Sequence, residues 1–162
     1  MANLVVGVGD FAVSNDPEDI IKTFALGSCV AIIFLHKTSR TVGMVHVALP
    51  ESRIKPEKAV TMPGYFADTG IPAILKAMNA KGCVTGGNNM IIKLAGGASV
   101  MDTNNTFNIG KRNILSIKKI LWSLGMGPTT EDLGGTFSRT VTVPVKTGKI
   151  TLSCPGKKDW PL

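Results

Sequence analysis

Two residues in the first third of the chain are equipped for acyl transfer. Cys29 follows Gly27-Ser28 and opens an apolar run that ends at Leu35, and His46 lies inside the next apolar run, from Val42 to Leu49. A thiol beside an imidazole is the minimum needed to form and hydrolyse a thioester. The thiol must lose its proton to attack, so it needs a base or a positive neighbour. Gly27 lets the backbone turn sharply and lets a substrate come close. On a strand, His46 shares its face with Met44 and Ala48, which would make an uncharged pocket floor.

A working imidazole also needs a partner that holds it. Thr23 is the candidate. It stands six residues before Cys29, which is about 20 Å along a straight strand. Both residues can serve one imidazole only if the chain leaves a straight path between residues 24 and 28, and Gly27-Ser28 is the expected bend. The other candidates read as structural. His36 falls in a polar hairpin turn and is expected to be solvated. Cys83 follows a helix stop and reads as structural, and Cys154 as an exposed or packing thiol. The cysteines and histidines lack metal-ligand pair spacing, so no metal and no cofactor is expected. Gly96-Gly97 and Gly134-Gly135 match no phosphate loop and read as turns.

The elements that must position these residues follow from pattern and punctuation. Strands are expected at 4–8, 20–26, 29–35 and 42–49, the last two joined as an antiparallel hairpin through His36–Arg40. Pro50 ends the fourth strand. Residues 51–66, rich in charge and proline, read as a long loop bordering the site. A helix should follow, capped by Asp68 or Thr69, with Ile71, Ile74, Leu75 and Met78 on one face and a stop at Gly82. A strand is expected at 90–95. A second helix near 110–124 should be capped by Asn108, carry the stripe Ile114, Ile117, Leu121 and Leu124, and stop at Gly125. Strands at 137–145 and 149–153 close the chain. Strands outnumber helices and cluster at both ends, which predicts an α+β fold with sandwiched sheets.

Composition sets the outer bounds. The 162 residues suggest a single domain, 1–162, and the 44% hydrophobic and 18% charged content excludes a disordered chain. Three cysteines without CxxC spacing argue for free thiols in a reducing compartment. The apolar start is broken by Gly7, Gly9 and Asp10, which makes a poor signal peptide. No apolar stretch approaches the roughly 20 residues of a membrane span. A cytoplasmic protein without membrane insertion is the expectation. The net charge of +7 favours an acidic partner. The basic residues are dispersed and not interleaved with aromatics, which argues against nucleic acid.

Taken in order, six segments resemble the family of the chemoreceptor glutamine deamidase CheD. They are Thr23-Phe-Ala-Leu-Gly-Ser-Cys29-Val, His46-Val-Ala-Leu-Pro50, Tyr65-Phe-Ala-Asp-Thr69, Lys93-Leu-Ala-Gly-Gly-Ala98, Ile109-Gly-Lys-Arg-Asn113 and Asp132-Leu-Gly-Gly-Thr136. Each is weak alone, and their order and spacing together are specific. Ala48 departs from the family, which usually has methionine before Leu-Pro. The resemblance implies β-sandwich-like mixed sheets flanked by helices, related in fold to deamidating bacterial toxins. It implies a Cys-His-Thr triad at Cys29, His46 and Thr23, converting glutamine to glutamate on the cytoplasmic helices of chemoreceptors and releasing ammonia. Backbone N–H groups around Gly27, Ser28 and Cys29 would hold the oxyanion. Some members of the family bind the phosphatase CheC, and some hydrolyse receptor methyl esters. Two alternatives stand beside this reading: a non-catalytic adaptor that regulates CheC, and a different cysteine hydrolase.

Overall fold

The computed structural model describes residues 2–83, 89–100 and 108–162. Its strands are β1 (Asn3–Val5), β2 (Phe11–Ser14), β3 (Ile20–Leu26), β4 (Val30–His36), β5 (Thr41–Val47), β6 (Met90–Gly96), β7 (Thr130–Leu133), β8 (Arg139–Pro144), β9 (Thr151–Ser153) and β10 (Trp160–Pro161). The α-helices are α1 (Pro56–Thr61), α2 (Ala67–Ala80) and α3 (Ile109–Ser123). The strands form two five-stranded sheets, in the orders β1-β3-β8-β9-β10 and β2-β5-β4-β6-β7. Each is mixed: β1 pairs with β3, and β6 with β7, in parallel, and the other ladders are antiparallel. The α+β architecture expected from the sequence is the one observed.

The layers explain the residue pattern. Ile21, Val141 and Val143 of the first sheet pack against Ala31, Ile33 and Met44 of the second. The opposite face of the second sheet, with Val30, Ile32, Phe34, Val45 and Val47, packs against Ile71, Ile74 and Met78 of α2 and Ile117 and Leu121 of α3. The second sheet is therefore covered on both sides. This is why β4 and β5 read as unbroken apolar runs and not as alternating ones. Each large side chain buried there, such as Phe34 at 0% exposure, contributes about 1.5–3 kcal/mol.

Several expectations need correction. Residues 51–66 are not a loop: they hold a 3₁₀ turn at Ser52–Ile54, α1, and a second 3₁₀ turn at Pro63–Tyr65. Asp68 does not cap α2; its carboxylate accepts from the backbone N–H and the hydroxyl of Ser52, tying that turn to the helix. Thr69 donates instead to Pro63 O. His36 is not solvated. It is the last residue of β4, paired with Thr41 and only 6% exposed, and its Nδ1 lies 2.7 Å from Ser39 Oγ. Among the described residues no helix is long and apolar enough to cross a membrane.

Candidate active site

Strand alternation decides which side chains meet. On β3, Thr23 shares the inward face with Ile21, and on β5, His46 shares the inward face with Met44. The two sheets thus bring Thr23 and His46 together across the sandwich, with Thr23 Oγ1 2.7 Å from His46 Nδ1. Both residues are buried, at 0% and 3% exposure. Thr23 Oγ1 also donates to Val6 O at 2.6 Å. A hydroxyl has one proton, and a carbonyl can only accept. The Thr23 proton is therefore committed to Val6, and Oγ1 must accept from Nδ1–H. This fixes the tautomer of His46 and leaves Nε2 with a lone pair that is buried and has no hydrogen-bond partner among the described residues. Burial pushes the His46 pKa down to about 4, against the smaller upward pulls of Val6 O and the Asp10 charge. The imidazole is neutral at pH 7 and able to accept a proton at Nε2.

Cys29 sits one residue before β4. Ala31 pairs directly with His46, so Cys29, two residues earlier, is its diagonal neighbour on the same face. The thiol is half-buried and packs against the cluster between the sheets. Burial pushes its pKa up, and its own backbone N–H partly offsets this. The resting thiol is therefore neutral at pH 7.

The chain leaves a straight path between Thr23 and Cys29 in two ways. The β3–β8 register shifts between Thr23 and Leu26, with Ala25 at φ 52°. Gly27-Ser28 then carries the backbone from the first sheet to the second. This corner is clamped from three sides. Ala98 N–H donates to Gly27 O at 2.8 Å, and Gly97 N–H to Cys29 O at 2.9 Å. Asn113 of α3 donates through Nδ2 to Ser28 O and to Ala48 O, each at 3.0 Å. Gly96, at φ 117°, is required here: a Cβ would lie 2.3 Å from Cys29 O.

Of the five residues that the sequence singled out, the structure joins Thr23 to His46 by a hydrogen bond and places Gly27, Ser28 and Cys29 on the adjoining corner, with no hydrogen bond between Cys29 and His46 Nε2 among the described residues. The sequence did not reveal Asn113, Val6 O or the 97–98 backbone. Asn113 had a signal: it lies on the buried stripe Gly110, Asn113, Ile117, Leu121 of α3, where a polar side chain needs a reason. A groove of about 710 Å³ runs between the 52–54 turn and α3, lined by the cations Arg53, Arg112 and Lys119, the carboxylates Glu51 and Asp68, and Pro50, Ile54 and Leu115 among others.

The architecture is that of an α+β sandwich carrying a thiol, an imidazole and a hydroxyl between its sheets. Residues 48–154 match the family model described as CheD, chemotactic sensory transduction. The chain is 51% identical over 160 residues to the probable chemoreceptor glutamine deamidase CheD of Syntrophotalea carbinolica, covering 99% of each chain. It is 41% identical over 156 residues to the probable chemoreceptor glutamine deamidase CheD 1 of Syntrophus aciditrophicus, covering 96% of each. It is 40% identical over 148 residues to the probable chemoreceptor glutamine deamidase CheD of Methanococcus maripaludis strain C6, covering 91% of this chain and 92% of that one. The chain belongs to the CheD family. The family-model match begins at Ala48, beyond Thr23, Cys29 and His46, whereas the alignment to the Syntrophotalea relative takes in nearly the whole chain.

Proposed function

We propose that this protein deamidates glutamine side chains of chemoreceptors, with Cys29 as nucleophile, His46 as base and acid, and Thr23 as the group that holds the imidazole. One observation supports the reading: the Thr23 hydroxyl engages His46 Nδ1, which leaves Nε2 without a hydrogen-bond partner among the described residues, on a strand residue diagonal to Cys29. As Cys29 Sγ bonds to the carboxamide carbon, its proton passes to Nε2. The carbonyl oxygen becomes an oxyanion, for which the backbone N–H groups of Ser28 and Cys29 are the proposed donors. His46 returns the proton to the amide nitrogen, the C–N bond breaks and ammonia leaves. Water then attacks the thioester, giving up a proton to His46. The C–S bond breaks, releasing glutamate and restoring the thiol.

The same thioester would form from a glutamyl methyl ester, with methanol leaving in place of ammonia, so receptor methylesterase activity belongs to this reading. The +7 charge suits an acidic receptor helix. The free thiols of Cys29, Cys83 and Cys154 suit a cytoplasmic site of action. A non-catalytic adaptor that binds CheC would have no use for an imidazole held at Nδ1 by a buried hydroxyl.

The test is Cys29→Ala. The residue is half-buried and small, so the variant is expected to keep its fold. Incubated with receptor cytoplasmic fragments, the wild type should release ammonia and add about one dalton per converted glutamine, and the variant should do neither. Undiminished ammonia release from Cys29→Ala would remove the reading. Receptor left unmodified by the wild type would favour the adaptor, and receptor cleaved would favour a peptidase.

A further inference from the structure

We propose that Asn113 is a positioning residue that sets the spacing between the Cys29 segment and the His46 strand. It does so by bridging Ser28 O and Ala48 O with the two N–H bonds of one carboxamide. The inference rests on reading Cys29 and His46 as a working pair.

The need for such a bridge lies in the sheet. The β4–β5 ladder pairs run from His36↔Thr41 to Val30↔Val47 and stop there. Cys29 and Ala48 fall just beyond the last pair, so the ladder ends where the reacting groups must be held. Asn113 takes over at that point, reaching the residue before Cys29 and the residue two after His46 at 3.0 Å each. Ser116, almost one helical turn on, continues the seam by donating to Pro50 O at 3.3 Å. The side chain is rigidly placed: Asn113 is 0% exposed.

Its orientation is dictated by its partners. Both are carbonyls, which accept only, so the NH₂ end must face them and Oδ1 must point away. Oδ1 is then buried with no partner among the described residues. A buried acceptor left unpaired costs stability. The two hydrogen bonds are bought with that penalty, and a leucine in the same place would avoid it. What leucine could not supply is a fixed separation between two carbonyls of different strands. A carboxamide sets that separation because its two N–H bonds diverge at a fixed angle from one nitrogen.

The experiment compares Asn113→Ala and Asn113→Ser with Leu121→Ala, a core truncation two turns along α3 that touches neither carbonyl. Two readouts are taken on folded protein: kcat and KM for ammonia release from receptor fragments, and the pH profile of Cys29 alkylation by iodoacetamide, followed by peptide mapping. In Asn113→Ala, kcat should fall on the order of ten- to a hundredfold, as expected for misplaced reacting groups, with KM within about threefold. The alkylation midpoint of Cys29 should move to lower pH as water reaches the sulfur. Leu121→Ala should lower stability and change neither readout. If Asn113→Ala does not fold, Asn113→Ser decides the matter, since one short hydroxyl cannot reach both carbonyls. The proposal is overturned if the folded Asn113 variant keeps wild-type kcat and alkylation, or if Leu121→Ala reproduces its changes. Should the wild-type protein fail to deamidate receptor, the functional reading falls separately, and the alkylation profile alone decides on Asn113.

Discussion

Thr23 makes two hydrogen bonds with one hydroxyl, and that is what fixes the direction of the imidazole. Replacing it with valine keeps the shape and removes the bridge between Nδ1 and Val6 O. His46 would keep its place in the sandwich, but nothing would define which nitrogen carries the proton. We expect Thr23→Val to lower kcat for ammonia release by up to about a hundredfold, part of what general base catalysis supplies. KM should hardly change, and stability should drop by about 1 kcal/mol. Thr23→Ser, which keeps the oxygen, should retain most of the activity. Equal losses in the two variants, read from initial rates, would separate the hydroxyl from the chemistry. Thr23, Cys29 and His46 stand out in the sequence as candidates because chemistry restricts which residue types can do the proposed work. His36 was misread because its position in a polar segment hid its pairing with Thr41 at the end of β4. Asn113 was not read as a site residue because its partners are backbone atoms, Ser28 O and Ala48 O, brought to it only by the tertiary fold.

At the scale of elements, α3 is the part that makes the corner. It approaches the 97–98 segment so closely that a Cβ on Gly110 would lie 2.4 Å from Gly97 O and 2.7 Å from Gly97 C. Alanine in a helix is ordinarily better than glycine by about 1 kcal/mol. Here the sign should reverse, because the helix would have to withdraw and take Asn113 off its two carbonyls. Gly110→Ala is expected to destabilise by about 1–3 kcal/mol, the usual range for overpacking, measured as a lower urea midpoint with an unchanged slope. A midpoint at or above that of the wild type would show that α3 has room to spare. The two long helices, α2 and α3, were easy to anticipate from stripes such as Ile71, Ile74 and Met78, and the central strands from their apolar runs. The edge strands were not. β2 has four residues just after a Gly-Asp break, β7 reads Thr-Glu-Asp-Leu, and β10 is Trp-Pro. Each is a strand because a longer neighbour offers it a free edge, which no local pattern records. Residues 51–66 looked like a loop for the opposite reason: Pro56 and Pro63 break long helices but sit comfortably at the starts of the short ones found there.

At the scale of the whole molecule, the candidate site lies between two sheets, so its electrostatics belong to folding as much as to chemistry. The sheets are bolted together at the same end by the ion pair of Arg139 on β8 with Asp132 on β7, at 2.7 Å, and by Arg139 donating to Gly134 O. His46 is buried between the same two sheets, and its pKa is lowered to about 4 by that burial, against roughly 6.5 in an unfolded chain. Between those two values the unfolded chain takes up a proton that the folded protein refuses. Stability must therefore rise with pH across this window, and fall as pH drops from about 6.5 to about 4. The full effect is about 3 kcal/mol at 1.36 kcal/mol per pKa unit. Protonation of carboxylates on a chain already carrying +7 adds to acid destabilisation, but equally in a variant without the imidazole. The informative quantity is thus the difference between wild type and His46→Gln, from urea unfolding at half-unit steps from pH 4 to pH 8. That difference should shift by about 3 kcal/mol in favour of the wild type on going from the acid end to neutrality, with most of the change below pH 6.5. Parallel curves for the two proteins would mean that His46 gains its proton as readily in the sandwich as in water. In that case the imidazole would not rest as the neutral base from which the proposed attack by Cys29 begins.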